Sequence, residues 1–415
     1  MQPPLPPLSR IARALHDTTE RLALELAQPG ATAPDWTGFE WDVARAVVAM
    51  QGIGSLLAHR LPWRGPDRWR DFLSGQMEQG LKRAVLIDSL LLRLDEVTRR
   101  AGLAVVALKG AALLRKLLYA PGERPMGDID LLAHADDLPP LARALETLGY
   151  HHQFTSARHA VFGNAPPSMP QGQGEHAAHP LKIEVHTHIA DPLPATMVDI
   201  TAQICASDAR PGVNPYRDDS SLLLHLLLHA AGNMRAHCLR LIQLEDIARL
   251  TRQWQPHQWE RLLTPTAGGT AAWWALPPLA LAQRCSGAAP PIEVMDALNE
   301  AAPRALRRAA RRYTLTAVSW SNLHIDAFPG IEWSRTPAEA LRFARSRIAP
   351  RKEALADLDM GVKAIPMLGA VPWYGLRHSS RIMRWLFSRP PRVQTIYSVM
   401  AALEGGAPEA SDARS

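Results

Sequence analysis

Cysteine is scarce in this chain: Cys205, Cys238 and Cys285 are the only three among 415 residues. So few, so widely separated and odd in number, they build neither a disulfide framework nor a zinc knuckle. A reducing cytoplasm is the expected compartment. Long apolar runs are missing too. No window reaches the roughly 18 uninterrupted apolar residues that a membrane span needs. The opening MQPPLPPLSRIARALHD lacks the basic-then-apolar order of a signal peptide, and no internal repeat is visible. Acidic charge is in the minority. The net charge of +6, carried mostly by arginine, favours anionic ligands such as nucleotides, phosphates or nucleic acid without choosing among them.

What is present suits a large soluble protein. Hydrophobic residues make up 47% and charged residues 21%, enough for an ample core in two or three domains. Apolar residues recur at three- and four-residue spacing in FEWDVARAVVAMQGIGSLLAHRL and in LKRAVLIDSLLLRLDEVTRRAG, the second closing at Gly102. The period then changes. LAVVALKG reads as a strand, AALLRKLLY as a helix, APGERP as a turn, GDIDLLAH as a strand and LPPLARALETLGY as a helix. RHAVFG and LKIEVHTHI read as further strands, separated by the polar loop NAPPSMPQGQGEHAAHP. Helical patterns resume at Asp218. The expected plan is an N-terminal helical region (1–102), an α/β core (103–190), a C-terminal helical region (191–403) and a disordered tail (404–415).

The chemistry concentrates in two strands. Residues i and i+2 of a strand share a face, so Asp128 and Asp130 project together while Ile129 and Leu131 project to the apolar side. Aspartate is seldom buried without a partner, and two on one face repel unless a cation or hydrogen bonds compensate. Their oxygens suit one or two Mg²⁺ or Mn²⁺ ions. The strand KIEVHTHI alternates in the same way, with Glu184, His186 and His188 on one face. Laid beside the first, it supplies a third carboxylate, and two metals held by three acidic groups fit in-line phosphoryl or nucleotidyl transfer. Such transfer needs cations for the leaving pyrophosphate. Lys109 ends the first strand, Gly110 opens a helix whose amides are candidates for cradling phosphate, and Arg124 lies on the turn before Asp128.

The order K-G, then R-x-x-x-D-I-D-L-L, then a strand-borne acidic-x-H resembles the polymerase-beta nucleotidyltransferase superfamily. It most resembles its bacterial "nucleotidyltransferase family protein" group. LLLHLLLHAAGNMRAHCLRLIQLEDIARL is similar to that group's helical segment. The broad superfamily usually places Gly-Ser after its first strand, whereas this chain has Lys109-Gly110-Ala111, as the closer group does. The resemblance implies an α+β, polymerase-beta-like core flanked by helical regions. It further implies Asp128, Asp130 and Glu184 as metal ligands and catalytic carboxylates, with Lys109, Gly110 and Arg124 lining the triphosphate. The implied reaction moves a nucleoside monophosphate from an NTP, with ATP the first expectation, to a small molecule, peptide or protein. A modified peptide is among the acceptors that the resemblance suggests. A nucleic-acid acceptor is compatible but not favoured.

Two rival readings belong beside it. One is a catalytically inactive nucleotide-binding or regulatory module. The other is a zinc hydrolase, since H-x-H at His186 and His188 resembles the first metal strand of amidohydrolase-like and polymerase-histidinol-phosphatase-like enzymes, and His225 and His229 share a helix face. The blander expectation for His225 and His229 is packing against the α/β core, and for Asp246 an ion pair with Arg235 or Arg240. The run Arg304, Arg307, Arg308, Arg311 and Arg312 reads as a solvated face. The aromatics Trp373, Tyr374, Trp385 and Phe387, interleaved with Arg377, Arg381 and Arg384, read as an amphipathic helix closing the core.

Overall fold

The computed structural model describes residues 6–156, 159–165, 173–206, 208–264, 271–349, 382 and 390–404. Helix α1 (Leu8–Ala27) leads into α2 (Gly38–Gln51), opened by a Thr37–Glu40 capping box. The long apolar period after Phe39 is split at Gly52, whose left-handed φ of 68° ends α2 before α3 (Gly54–Arg60). A side chain at Gly52 would be strained, and its Cβ would fall 2.5 Å from Nη2 of Arg240. Helix α4 (Asp67–Arg100) is longer than its apolar repeat suggests and stops before Gly102, which has φ 71°.

The α/β core follows. Strand β1 (Ala104–Ala107) runs into the short helix α5 (Lys109–Arg115). Then come β2 (Asp128–Leu132), α6 (Leu138–Glu146), β3 (His151–Thr155), β4 (His159–Gly163) and β5 (Lys182–His186). A separate small ribbon joins β6 (Ala190–Pro192) to β7 (Met197–Asp199). Helix α7 (Thr201–Ile204) and β8 (Gly212–Asn214) complete this part. The main sheet has the order β3-β4-β5-β2-β1-β8. Its central pair, β2 and β5, is parallel, whereas β1 runs antiparallel to β2 and β4 antiparallel to β5. The sheet therefore reaches past residue 190, because β8 adds to β1 in parallel.

Alternation divides the sheet into two faces. Ile129, Leu131, Ile183 and Val185 pack with Ile87, Leu90, Leu91 and Leu94 of α4 and with Leu141 and Leu145 of α6. Burying each such side chain stabilises the fold by about 1.5–3 kcal/mol. With one face of β2 and β5 sealed in this way, a one-residue register slip would bury the acidic set instead.

The remaining helices are α8 (Asp219–Arg235), α9 (Leu241–Thr251), α10 (Pro256–Trp259), α11 (Leu276–Ser286), α12 (Ile292–Ala301), α13 (Arg304–Ala310), α14 (Leu315–Val318), α15 (Pro337–Ile348) and α16 (Val393–Glu404). The N- and C-terminal helices share one core, in which Leu15, Val47, Leu227, Leu244 and Leu279 all take part. Helix α16 is tied to α2 by Arg45, which donates to the Ala402 carbonyl at 2.7 Å. Arg304, Arg308, Arg311 and Arg312 are exposed, as a solvated face requires. The aromatic and arginine residues from Trp373 to Phe387 named above, and the tail beyond Glu404, lie outside the described residues. Among the described residues, no helix is long and apolar enough to cross a membrane.

Candidate active site

The parallel register sets Asp130 directly opposite Glu184, Asp128 opposite Lys182 and Leu132 opposite His186. Three carboxylates thus gather on the face of the sheet opposite α4. Their mutual repulsion is visible in their acidities. Burial, and then the charge of Asp130, push the Asp128 carboxyl up, against the pull of Lys109, Arg124 and Arg240. Burial, followed by Asp128 and Asp130, pushes Glu184 up to about 7. Asp130 goes the other way: although burial opposes it, Lys109 and His186 hold its carboxyl well below the usual range. The donor set, three carboxylates on one face, is oxygen-rich and fits hard divalent cations.

Lys109 and His186 both donate to Oδ1 of Asp130, at 2.8 and 2.9 Å. Lys109 has φ 44°, a left-handed conformation that costs energy in a residue with a Cβ. Its N–H donates to the hydroxyl of Tyr216 at 3.1 Å, and that hydroxyl lies 2.7 Å from Nδ1 of His225. The Lys109 amide at the start of α5 is therefore already engaged. Gly110 packs closely against Arg124. A Cβ there would fall 2.4 Å from Nη1 of Arg124 and 3.1 Å from Sδ of Met126, so the missing side chain is what lets Arg124 lie against the helix.

Arg124 is also held, and not as a lone surface cation. Its Nε and Nη2 donate to the two carboxylate oxygens of Asp246 at 2.8 and 2.7 Å. Tyr119 donates to the same carboxylate at 2.7 Å. This corrects the expected pairing of Asp246 with Arg235 or Arg240. Arg235 instead approaches Asp191 at 4.0 Å, and Arg240 donates through Nε to the Met50 carbonyl at 3.1 Å. The reason is the docking of α9 on the 118–124 turn. Neighbouring Glu245 pairs with Arg60 and Arg249, and Arg249 reaches Glu123 and the Leu118 carbonyl. The E-D-x-x-R pattern in LEDIARL carries this signal, but no spacing rule links it to a turn so far away in sequence.

Beside the carboxylates opens a cleft of about 430 Å³, lined by Lys109, His159, Glu184, His186, His188 and His225 among others. His229 lines it too and lies 3.2 Å from Asn233 Nδ2. His225 is fully packed, and burial, with the nearby positive charge of Lys109 next, drives its pKa well down, so it is neutral here. His225 and His229 therefore both pack on the α/β core and face the cleft. His188 lies beyond the end of β5, is exposed and pairs with its neighbour Thr187 at 3.0 Å. The trio whose donor atoms converge is His159, Glu184 and His186. His188 is not among these three. Nothing in RHAVFG marks His159 beyond the strand pattern. The register, which sets His159 opposite His186, is invisible in the sequence.

The small mixed sheet flanked by helices is consistent with a nucleotidyltransferase-like core. A family model described as uncharacterised nucleotidyltransferase matches residues 37–287, more than half of the chain. The chain belongs to that family. Searches of curated proteins and of solved structures find no match.

Proposed function

We propose that the protein transfers a nucleoside monophosphate from an NTP, with ATP the first candidate, to an acceptor oxygen with release of pyrophosphate. The observation that carries this reading is the cross-strand alignment of Asp130 with Glu184 beside Asp128, which gathers three carboxylates on one face of the sheet. Asp128, Asp130 and Glu184 would hold Mg²⁺ or Mn²⁺, which when bound supplies charge neutralisation at the phosphates and a lowered acceptor pKa. In the transfer, the acceptor oxygen bonds to the α-phosphorus, the bond to the β-phosphate oxygen breaks and pyrophosphate departs. Lys109, now against Asp130, would swing its ammonium toward the phosphates as their charge shifts to the leaving group. Glu184 would take the acceptor proton, or hold the metal that lowers that proton's pKa. Arg124, fixed by Asp246, contributes a preorganised positive field at the Asp128 end rather than a mobile clamp.

The 430 Å³ cleft is the proposed acceptor site, and its size suits a small molecule or the side chain of a peptide or protein. The three cysteines, none in a disulfide, accord with a cytoplasmic setting. The test is incubation of the purified chain with Mg²⁺, ATP or another NTP, and fractionated peptides and metabolites. Mass spectrometry then looks for an acceptor that gains one nucleoside monophosphate with wild type and not with Asp128→Asn. Release of inorganic phosphate in place of pyrophosphate would contradict the proposal.

A further inference from the structure

We infer that His159, Glu184 and His186 form a binding site for a first-row transition ion such as Zn²⁺ or Co²⁺, distinct in preference from the magnesium-type site at the aspartates. The inference goes beyond nucleotidyl transfer and does not depend on it. One donor atom from each of the three side chains lies within 4.8 Å of the other two. Nε2 of His159 and Oε2 of Glu184 are 3.4 Å apart. Bonds of about 2.0–2.1 Å to a tetrahedral ion place neighbouring ligand atoms roughly 3.3 Å apart, so this edge is already at ligation distance.

The backbone builds the trio. Register sets His159 opposite His186 and Val161 opposite Glu184 on the β4–β5 pair, which brings both imidazoles and the carboxylate to one face. The His186 ring is fixed by its 2.9 Å hydrogen bond to Asp130, the carboxylate–imidazole support that commonly orients a metal-bound histidine. Two imidazoles and one carboxylate select a borderline ion over Mg²⁺, which prefers oxygen alone. All three residues line the large cleft, so three protein ligands would leave a coordination position for water or for a donor atom of the cleft's occupant. Glu184 is the shared element: one carboxylate links the imidazole pair to the aspartate pair.

The test uses the full chain, stripped of metal and titrated with Co²⁺ while visible absorption is followed. One equivalent with bands of an imidazole–carboxylate set, displaced by Zn²⁺ and not by equimolar Mg²⁺, is expected. His159→Ala and the bulkier His159→Gln should each weaken Co²⁺ binding at least about tenfold, with circular dichroism confirming that both are folded. His188→Ala should leave it unchanged, and Asp128→Asn should keep the bands. Absence of bands in wild type, or wild-type affinity in both folded His159 variants, would overturn the site. Bands lost in Asp128→Asn but kept in His159→Gln would also overturn it, placing the ion on the aspartates and leaving the nucleotidyl-transfer proposal standing.

Discussion

Arg124 and Asp246 meet fork to fork: two guanidinium nitrogens donate to the two carboxylate oxygens at 2.8 and 2.7 Å, and the carboxylate side is almost fully buried. Bidentate pairs of this kind hold geometry as well as charge. They are also unforgiving, because removing one partner strands the other in a medium that solvates it poorly.

Asp246→Ala is therefore expected to destabilise the protein by about 3–5 kcal/mol, with Tyr119 losing its acceptor too. Arg124→Ala should cost a similar amount, since it leaves Asp246 charged and buried. Urea unfolding of both variants and of the double variant measures this. The double variant should be more stable than the sum of the single losses implies, as expected for residues in direct contact. Additive losses would mean that the pair is not formed.

Much of this arrangement was legible in the sequence, and the reasons differ by element. The D-x-D strand and the E-x-H strand were readable because alternation is local, and the parallel pairing of β2 with β5 sets Asp130 across from Glu184. The breaks at Gly52 and the extra strand β8 were not, since both depend on distant partners: Arg240 packs on Gly52 and β1 accepts β8. The same holds for Asp246 and His159. Which cation a buried aspartate meets, or which strand a histidine opposes, is decided by how helices and strands dock, and residue spacing does not encode that.

Gly110→Ala offers a sharper probe than any charge change. Its Cβ would sit 2.4 Å from Arg124 Nη1, so either the guanidinium or the helix must move. Overpacking of this kind typically costs about 1–3 kcal/mol. The melting temperature should fall, and turnover should fall with it because Arg124 is displaced. A fully stable, fully active variant would show that the packing is looser than described.

Glu184 predicts a pH dependence. Its folded-state pKa of about 7 lies above the ordinary glutamate value of 4.5, so the folded state holds on to a proton that the unfolded chain has lost. Stability from this group is therefore intact below the unfolded value, declines as pH rises between the two values, and is lowest above about 7. Glu184→Gln, neutral throughout, should abolish that decline and make the metal-free protein more stable at pH 8, by on the order of 1–3 kcal/mol, while reducing turnover. Denaturation curves at pH 5 and pH 8 decide it. Equal pH slopes for wild type and variant would refute the assignment.

Lys109 should show opposite effects on two quantities. Its ammonium neutralises Asp130 in the free protein, so Lys109→Ala should tighten Mg²⁺ binding when no nucleotide is present. The same change should lower turnover roughly a hundredfold or more, the usual loss when one donor to a developing charge is removed. Calorimetry with Mg²⁺ alone, set beside single-turnover kinetics, separates the two. Unchanged turnover would exclude Lys109 from the phosphates.

The central claim is that Asp128 and Asp130 bind a metal–nucleotide complex, and melting curves in Mg²⁺, in NTP and in both together test it most directly. Ligands that bind only the native state raise its stability by mass action. In the wild type, Mg²⁺ and NTP together should raise the melting temperature by more than the sum of their separate effects. In Asp128→Asn with Asp130→Asn, folded by circular dichroism, that excess should vanish. An excess that survives in the double variant would contradict the account.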